Sequence, residues 1–360
     1  MVGMEDMSIY NGRRVLITGH TGFKGSWLAV WLHHLGARVT GYALDPYSEK
    51  DNFVLSRIGE KIENDIRADV RNRSRLHEAF AEHRPEVVFH LAAQPLVRLS
   101  YERPVETYEV NVMGTVNVLE EVRQSPSVRV VVVVTSDKCY ENRERWWGYR
   151  EDEALGGYDP YSSSKGAAEI AVSAWRRSFM NPLRCAEHGK AVASARAGNV
   201  VGGGDWAADR IVPDCIRALE SGRPVEIRSP RAVRPWQHVL EPLSGYLALA
   251  AKLWHDPAKY AQAWNFGPSA DSVVSVWDVA RMVVERYGTG SLKDASTPNT
   301  LHEATLLALD ASKARYELGW TPRWDIRTTI AKTVEWYARY PTEDVHQLCL
   351  KQIEEYSKSC

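Results

Sequence analysis

Apolar residues along this chain gather into short continuous runs rather than alternating ones. The runs occupy 13–18, Ala37 to Leu44, Glu86 to Leu91, Val128 to Val134 and Ala191 to Val201. Continuous Val/Ile/Leu runs suit strands covered on both faces, as in a parallel sheet. Between them lie helix-length segments: an amphipathic stretch from Trp27 to Leu35 stopped by Gly36, then Val105 to Gln124 and Ser162 to Phe179. Strands alternating with helices predict an α/β protein with a doubly wound parallel sheet, a mixed α+β arrangement being the alternative. Residues 1–11 read as a loose leader. After about residue 200 the texture changes, with Gly202 to Gly204 and repeated prolines from Pro213 to Pro298 cutting the chain into short pieces. That predicts a smaller, loop-rich α/β C-terminal lobe packed beside the sheet. The sheet domain then covers 12–200, with about 236–266 returning to it, and the lobe is mainly 201–360.

Chemistry enters at the end of the first run. Thr18 is followed by Gly19-His20-Thr21-Gly22-Phe23-Lys24-Gly25, a GxxGxxG turn between a strand and a helix. Such a turn lets backbone N–H groups and a helix N-terminus approach a pyrophosphate, so the unit reads as Rossmann-like. Gly19, Thr21, Gly22, Phe23 and Gly25 are its candidate cofactor contacts. Asp45 stands twenty residues past Gly25, at the end of the second run. A carboxylate there accepts both ribose hydroxyls of NAD and repels the extra phosphate of NADP; the alternative is a turn residue before Pro46. Asp69 is a candidate acceptor for the adenine amino group, or else a solvated loop aspartate.

Two further clusters carry reactive groups. Tyr161-Ser-Ser-Ser-Lys165 places a phenol and an ammonium four apart on one helix face. A cation near the phenol favours phenolate and so a general base. Thr135-Ser136-Asp137-Lys138 follows the Val128 to Val134 run at its carboxyl end, the edge that faces the ligand crevice in open α/β sheets. The alternative there is a plain strand-end turn.

Taken together, Gly19-x-x-Gly-x-x-Gly25, His90-Leu-Ala-Ala93, Tyr161-x-x-x-Lys165 and Asn265-Phe-Gly267 resemble the extended short-chain dehydrogenases/reductases, which include NAD-dependent sugar-nucleotide epimerases and dehydratases. The resemblance runs from about residue 12 to about 340. Five longer strings are similar to the 4,6-dehydratase branch acting on CDP-glucose: 19–28, 90–101, 135–142, 156–166 and 234–247. The resemblance implies NAD as cofactor, with Ala92 joining its contacts, and CDP-glucose as substrate. It implies Tyr161 as base towards the 4-hydroxyl, Ser136 as its support and Asp137 as acid for the departing 6-hydroxyl. Lys138 stands where related dTDP-glucose dehydratases carry a glutamate base; it is either a neutral base or a cation stabilising the enolate. Asn199 and Arg234 match positions that hold the diphosphate. Arg210, His302 and Glu303 are further substrate candidates, with surface or packing roles as the alternative, while Trp236 and His238 read as structural. A 4-epimerase, another sugar-nucleotide dehydratase, a simple alcohol dehydrogenase and a non-catalytic NAD-binding scaffold are the competing readings.

Composition narrows the field further. Basic and acidic side chains number 45 and 46, a formal charge of −1, so no general field attracts nucleic acid. No apolar run approaches the roughly 20 residues of a membrane span. Five scattered cysteines without a CxxC argue against a disulfide scaffold or a cysteine-rich zinc site, and a cytoplasmic setting without metal is expected. Family resemblance implies a homo-oligomer, a dimer or tetramer.

Overall fold

The computed structural model describes residues 7–296 and 306–359. Its main sheet has seven strands, all parallel. These are β1 (Arg14–Thr18), β2 (Arg38–Ala43), β3 (Asn64–Arg67), β4 (Val87–His90), β5 (Val130–Val134), β6 (Ala191–Ala197) and an edge strand, Ala263–Phe266. The spatial order is edge strand, β6, β5, β4, β1, β2, β3, so the order reverses beside β1 and opens a crevice at the strand carboxyl ends. Register brings Thr18 level with His90 and Tyr42. The continuous apolar runs have their expected cause. Val130, Val132 and Val134 enter one core, while Val131 and Val133 enter the core on the opposite face. Each buried valine contributes about 1.5–3 kcal/mol, which outweighs the modest preference for any single strand conformation.

Helix Phe23–His34 carries the chain from β1 back to β2, and helix Pro160–Ser178 runs from the site to β6. The predicted helix at 105–124 begins at Pro104 and contains a π turn, Glu109–Met113. Asn111 in that turn is buried and binds the Gln94 backbone and Ser164. The loose leader is corrected from residue 7 onward. Ser8–Tyr10 form a 3-10 turn, and Tyr10 is fully buried with its hydroxyl donating to the Leu247 carbonyl at 2.7 Å. The run 191–201 is two strands, since Val200–Val201 pairs with Gln237–His238 instead of the main sheet.

Beyond residue 200 the chain adds short strands and helices, including the parallel pair Val225–Ile227 and Leu292–Asp294. The C-terminal helix Val345–Lys358 lies on helix Phe23–His34, with Trp31 and Tyr356 edge to face at 5.9 Å. Glu241 fastens this junction. Its buried carboxylate accepts from Arg323 N, Trp324 N and the Tyr356 hydroxyl. Most tryptophans, Trp27, Trp264 and Trp336 among them, are packing residues. Trp236 and His238 are buried as well. Among the described residues, no helix is long and apolar enough to cross a membrane.

Candidate active site

The glycine turn is built for close approach. Gly19 sits at φ +79°, and a Cβ there would lie 2.7 Å from the Ala92 nitrogen; one at Gly25 would lie 2.0 Å from the Gly19 carbonyl oxygen. Gly22 caps helix Phe23–His34 without a side chain, leaving the first N–H groups for an external acceptor. Thr21 donates to the Leu44 carbonyl at 3.0 Å and ties the turn to the end of β2, while Phe23 packs on the main core. Asp45 follows at that end with 86% of its side chain exposed, 3.9 Å from Arg67. Asp69 is already engaged, accepting from Arg71 N at 2.8 Å and from its guanidinium; an adenine amino group would have to share it. The exposed Asp45, the open helix end and the glycine cradle fit a dinucleotide.

Tyr161 and Lys165 stand in the first two turns of helix Pro160–Ser178, which starts sharply. Asp159 accepts from Ser162 N at 2.9 Å, and Pro160 occupies the first turn, where its missing N–H costs nothing. The Tyr161 N–H donates to Ser100 Oγ at 3.1 Å. Both side chains are buried. At the end of β5, Ser136 donates to Asp137 Oδ1 at 3.0 Å and accepts from Lys138 N at 3.2 Å. The other oxygen of Asp137 is buried with no protein partner. It faces Gly198, where a Cβ would lie 2.0 Å away, so any side chain at 198 would push the carboxylate aside.

Burial shapes the electrostatics of both Tyr161 and Lys165. Burial pushes the Tyr161 phenol up to about 12; a hydrogen bond from Ser136 and the charge of Arg210 pull it down, and Asp137 opposes them. Burial also pushes the Lys165 ammonium down to about 8, with Glu169 supporting the charge. Lys24, overlooked in the sequence, is likewise lowered to about 8 by burial and by Arg210 and Lys165, with Asp137 opposing. A lysine opening an apolar helix, where the dipole disfavours a cation, was the available signal. His20 was missed too. Its Nε2 meets Asp65 at 2.8 Å, and its ring fills the space over Gly41.

Asn199, next to the Gly198 that faces Asp137, holds a left-handed backbone at φ +23°, and its carbonyl accepts from Gln237 N. Arg210 is paired with Asp205 at 2.7 Å and acts electrostatically on Tyr161, which ties it to the reaction centre. Arg234 is buried in the short strand Val233–Pro235 and donates to its neighbour's carbonyl. His302 and Glu303 lie outside the described residues.

A phenol, a lysine and a strand-end acid gathered beside a dinucleotide turn define a nucleotide-cofactor enzyme of the α/β class. The chain matches the GDP-mannose 4,6 dehydratase family over residues 16–333 and belongs to it. It is 49% identical to the CDP-glucose 4,6-dehydratase of Salmonella typhimurium over 354 residues, 98% of each chain. The UDP-glucose 4-epimerase of Thermus thermophilus in complex with NAD superposes with a TM-score of 0.75 at 25% identity, covering 90% of this chain and 99% of that one. The dTDP-glucose 4,6-dehydratase of Streptomyces venezuelae with NAD bound has the same fold, with a TM-score of 0.77 at 21% identity and coverage of 92% and 99%.

Proposed function

We propose that the chain is an NAD-dependent CDP-glucose 4,6-dehydratase, a hydro-lyase that forms CDP-4-keto-6-deoxyglucose. Gly19, Thr21, Gly22, Phe23, Gly25, Asp45, Asp69 and Ala92 are the residues that would hold NAD, which when bound accepts hydride from carbon 4 and returns it to carbon 6. Tyr161 takes the 4-hydroxyl proton, with Ser136 stabilising the phenolate and Lys165 supplying positive charge. The ketone so formed acidifies the proton on carbon 5. Asp137 protonates the departing 6-hydroxyl, and Lys138 takes the carbon 5 proton or stabilises the enolate. Asn199, Arg210 and Arg234 hold the diphosphate in the lobe of 201–360, and 12–200 with 236–266 carries the cofactor.

The observation that favours elimination over epimerisation is Asp137: a buried acid with one unpartnered oxygen at the strand end beside Tyr161. Inverting carbon 4 needs the phenol and the lysine but no acid for a leaving hydroxyl. The test is incubation with CDP-, UDP-, dTDP- and GDP-glucose, read by mass spectrometry. We expect the CDP sugar alone to lose one water without net change in NAD. An isomer of unchanged mass would support epimerisation instead.

A homo-oligomer and a cytoplasmic setting belong to this reading. Val105 and Met113 on helix 104–124 and Ile170 on helix Pro160–Ser178 are exposed apolar side chains on neighbouring helices, a surface suited to a second copy. Sedimentation should return at least twice the 40.6 kDa chain mass; a single-chain mass would rule this surface out as an interface. The four described cysteines are unpaired, as a reducing compartment would keep them.

A further inference from the structure

Three charged residues far apart in sequence meet where the two lobes face each other. Asp209 Oδ1 lies 2.6 Å from Arg228 Nη1 and 3.6 Å from Arg98 Nη1. Arg98 belongs to the short helix Val97–Glu102, whose Ser100 receives the Tyr161 N–H. Arg228 follows the strand Val225–Ile227 of the second lobe. Asp209 adjoins Arg210, the arginine whose charge reaches the Tyr161 phenol. The trio therefore spans the crevice next to the reaction centre.

The charges do not balance. Asp209 Oδ1 makes the closest contact to both guanidinium groups, through Nη1 in each, and each side chain keeps about 40% of its surface in solvent. Asp214 also acts on Arg228, but it is shared with Arg217 on its own helix. Asp209 holds its position from a left-handed backbone at φ +62°, a conformation that aspartate adopts more readily than most residues but that still disfavours it. A planar guanidinium binds two oxygens at once and prefers phosphate-like ligands that offer them.

We propose that Arg98 and Arg228 form a two-armed clamp for the diphosphate of a nucleoside diphosphate sugar, with Asp209 occupying the clamp until substrate displaces it. The proposal rests on the sugar-nucleotide reading above and adds residues to which that reading gave no role. It also assigns opposite signs to neighbouring residues. The arginines aid binding, and the aspartate competes with it.

Calorimetric titration of the holoprotein with CDP, and separately with uncharged cytidine, tests this. Arg98→Gln and Arg228→Gln should each weaken CDP by about 10-fold or more, the loss expected for a charge-assisted hydrogen bond, and leave cytidine unchanged. Asp209→Asn keeps the shape, removes the competing charge and should tighten CDP several-fold. In an Arg98→Gln, Arg228→Gln background the Asp209→Asn gain should vanish. Weaker or unchanged CDP binding in Asp209→Asn would overturn the clamp, as would equal losses for CDP and cytidine in the arginine variants. If the unaltered protein bound a different nucleoside diphosphate and not CDP, the CDP assignment would fail, and the same variants would then be read with that nucleotide.

Discussion

Tyr161→Phe is expected to lower kcat by about 10²–10⁴-fold, the usual contribution of a positioned acid–base group, with CDP-glucose binding nearly intact. Phenylalanine keeps the ring that fills the buried first turn of helix Pro160–Ser178 and loses only the hydroxyl. Steady-state kinetics and a binding titration separate the two effects. A variant retaining more than a tenth of kcat would remove Tyr161 from the chemistry. The pH dependence carries a sign as well. Tyr161 is pushed up to about 12 by burial, so it needs nearby positive charge to act as a base near neutrality. Lys165 and Lys24 are pushed down to about 8 and lose their protons as pH rises through that value. An alkaline limb in kcat near pH 8 is therefore expected, although the phenol itself titrates far higher.

Glu169→Gln should be the most damaging change outside the reacting groups. Glu169 lies one turn beyond Lys165 and faces the sheet. Its carboxylate accepts from Thr135 Oγ1 at 2.5 Å, Ser194 Oγ at 2.8 Å and Arg196 Nη2 at 2.7 Å. Arg196 continues to the Tyr140 hydroxyl at 2.7 Å, and Tyr140 donates to Asn265 at 2.8 Å. One buried chain of polar groups thus joins the helix of Tyr161, the end of β5, β6 and the edge strand. Removing the negative partner strands a buried guanidinium, a loss of about 3–5 kcal/mol. Urea unfolding should report a loss in that range; less than about 1 kcal/mol would mean that the network is dispensable. Because Glu169 also favours the charged form of Lys165, the alkaline limb of kcat should move to lower pH.

How much of this was readable in advance depended on distance along the chain. The strands β1, β4 and β5 were legible because two-sided burial demands unbroken apolar runs, which need no tertiary information. The glycine turn, Tyr161 with Lys165, and Ser136 with Asp137 were legible because their geometry is set within a few residues. The Tyr161 environment was not, since burial and Arg210 act from elsewhere in the fold. Arg98, Asp209 and Arg228 meet only in the folded chain, and no local spacing announces them. Glu169 gains its role only where Arg196 of β6 meets it, a pairing that no local spacing encodes. The leader failed for a related reason, because Tyr10 finds its partner at Leu247.

The placement of Ala263–Phe266 at the sheet edge bears on biosynthesis. β6 is buried along its whole length, yet one of its two neighbours is made only after more than sixty further residues have been translated. Until then the nascent chain presents an open row of amides that invites wrong partners. The seven-stranded sheet can close only once residue 266 has emerged, so the segments before and after residue 200 mature together rather than in sequence.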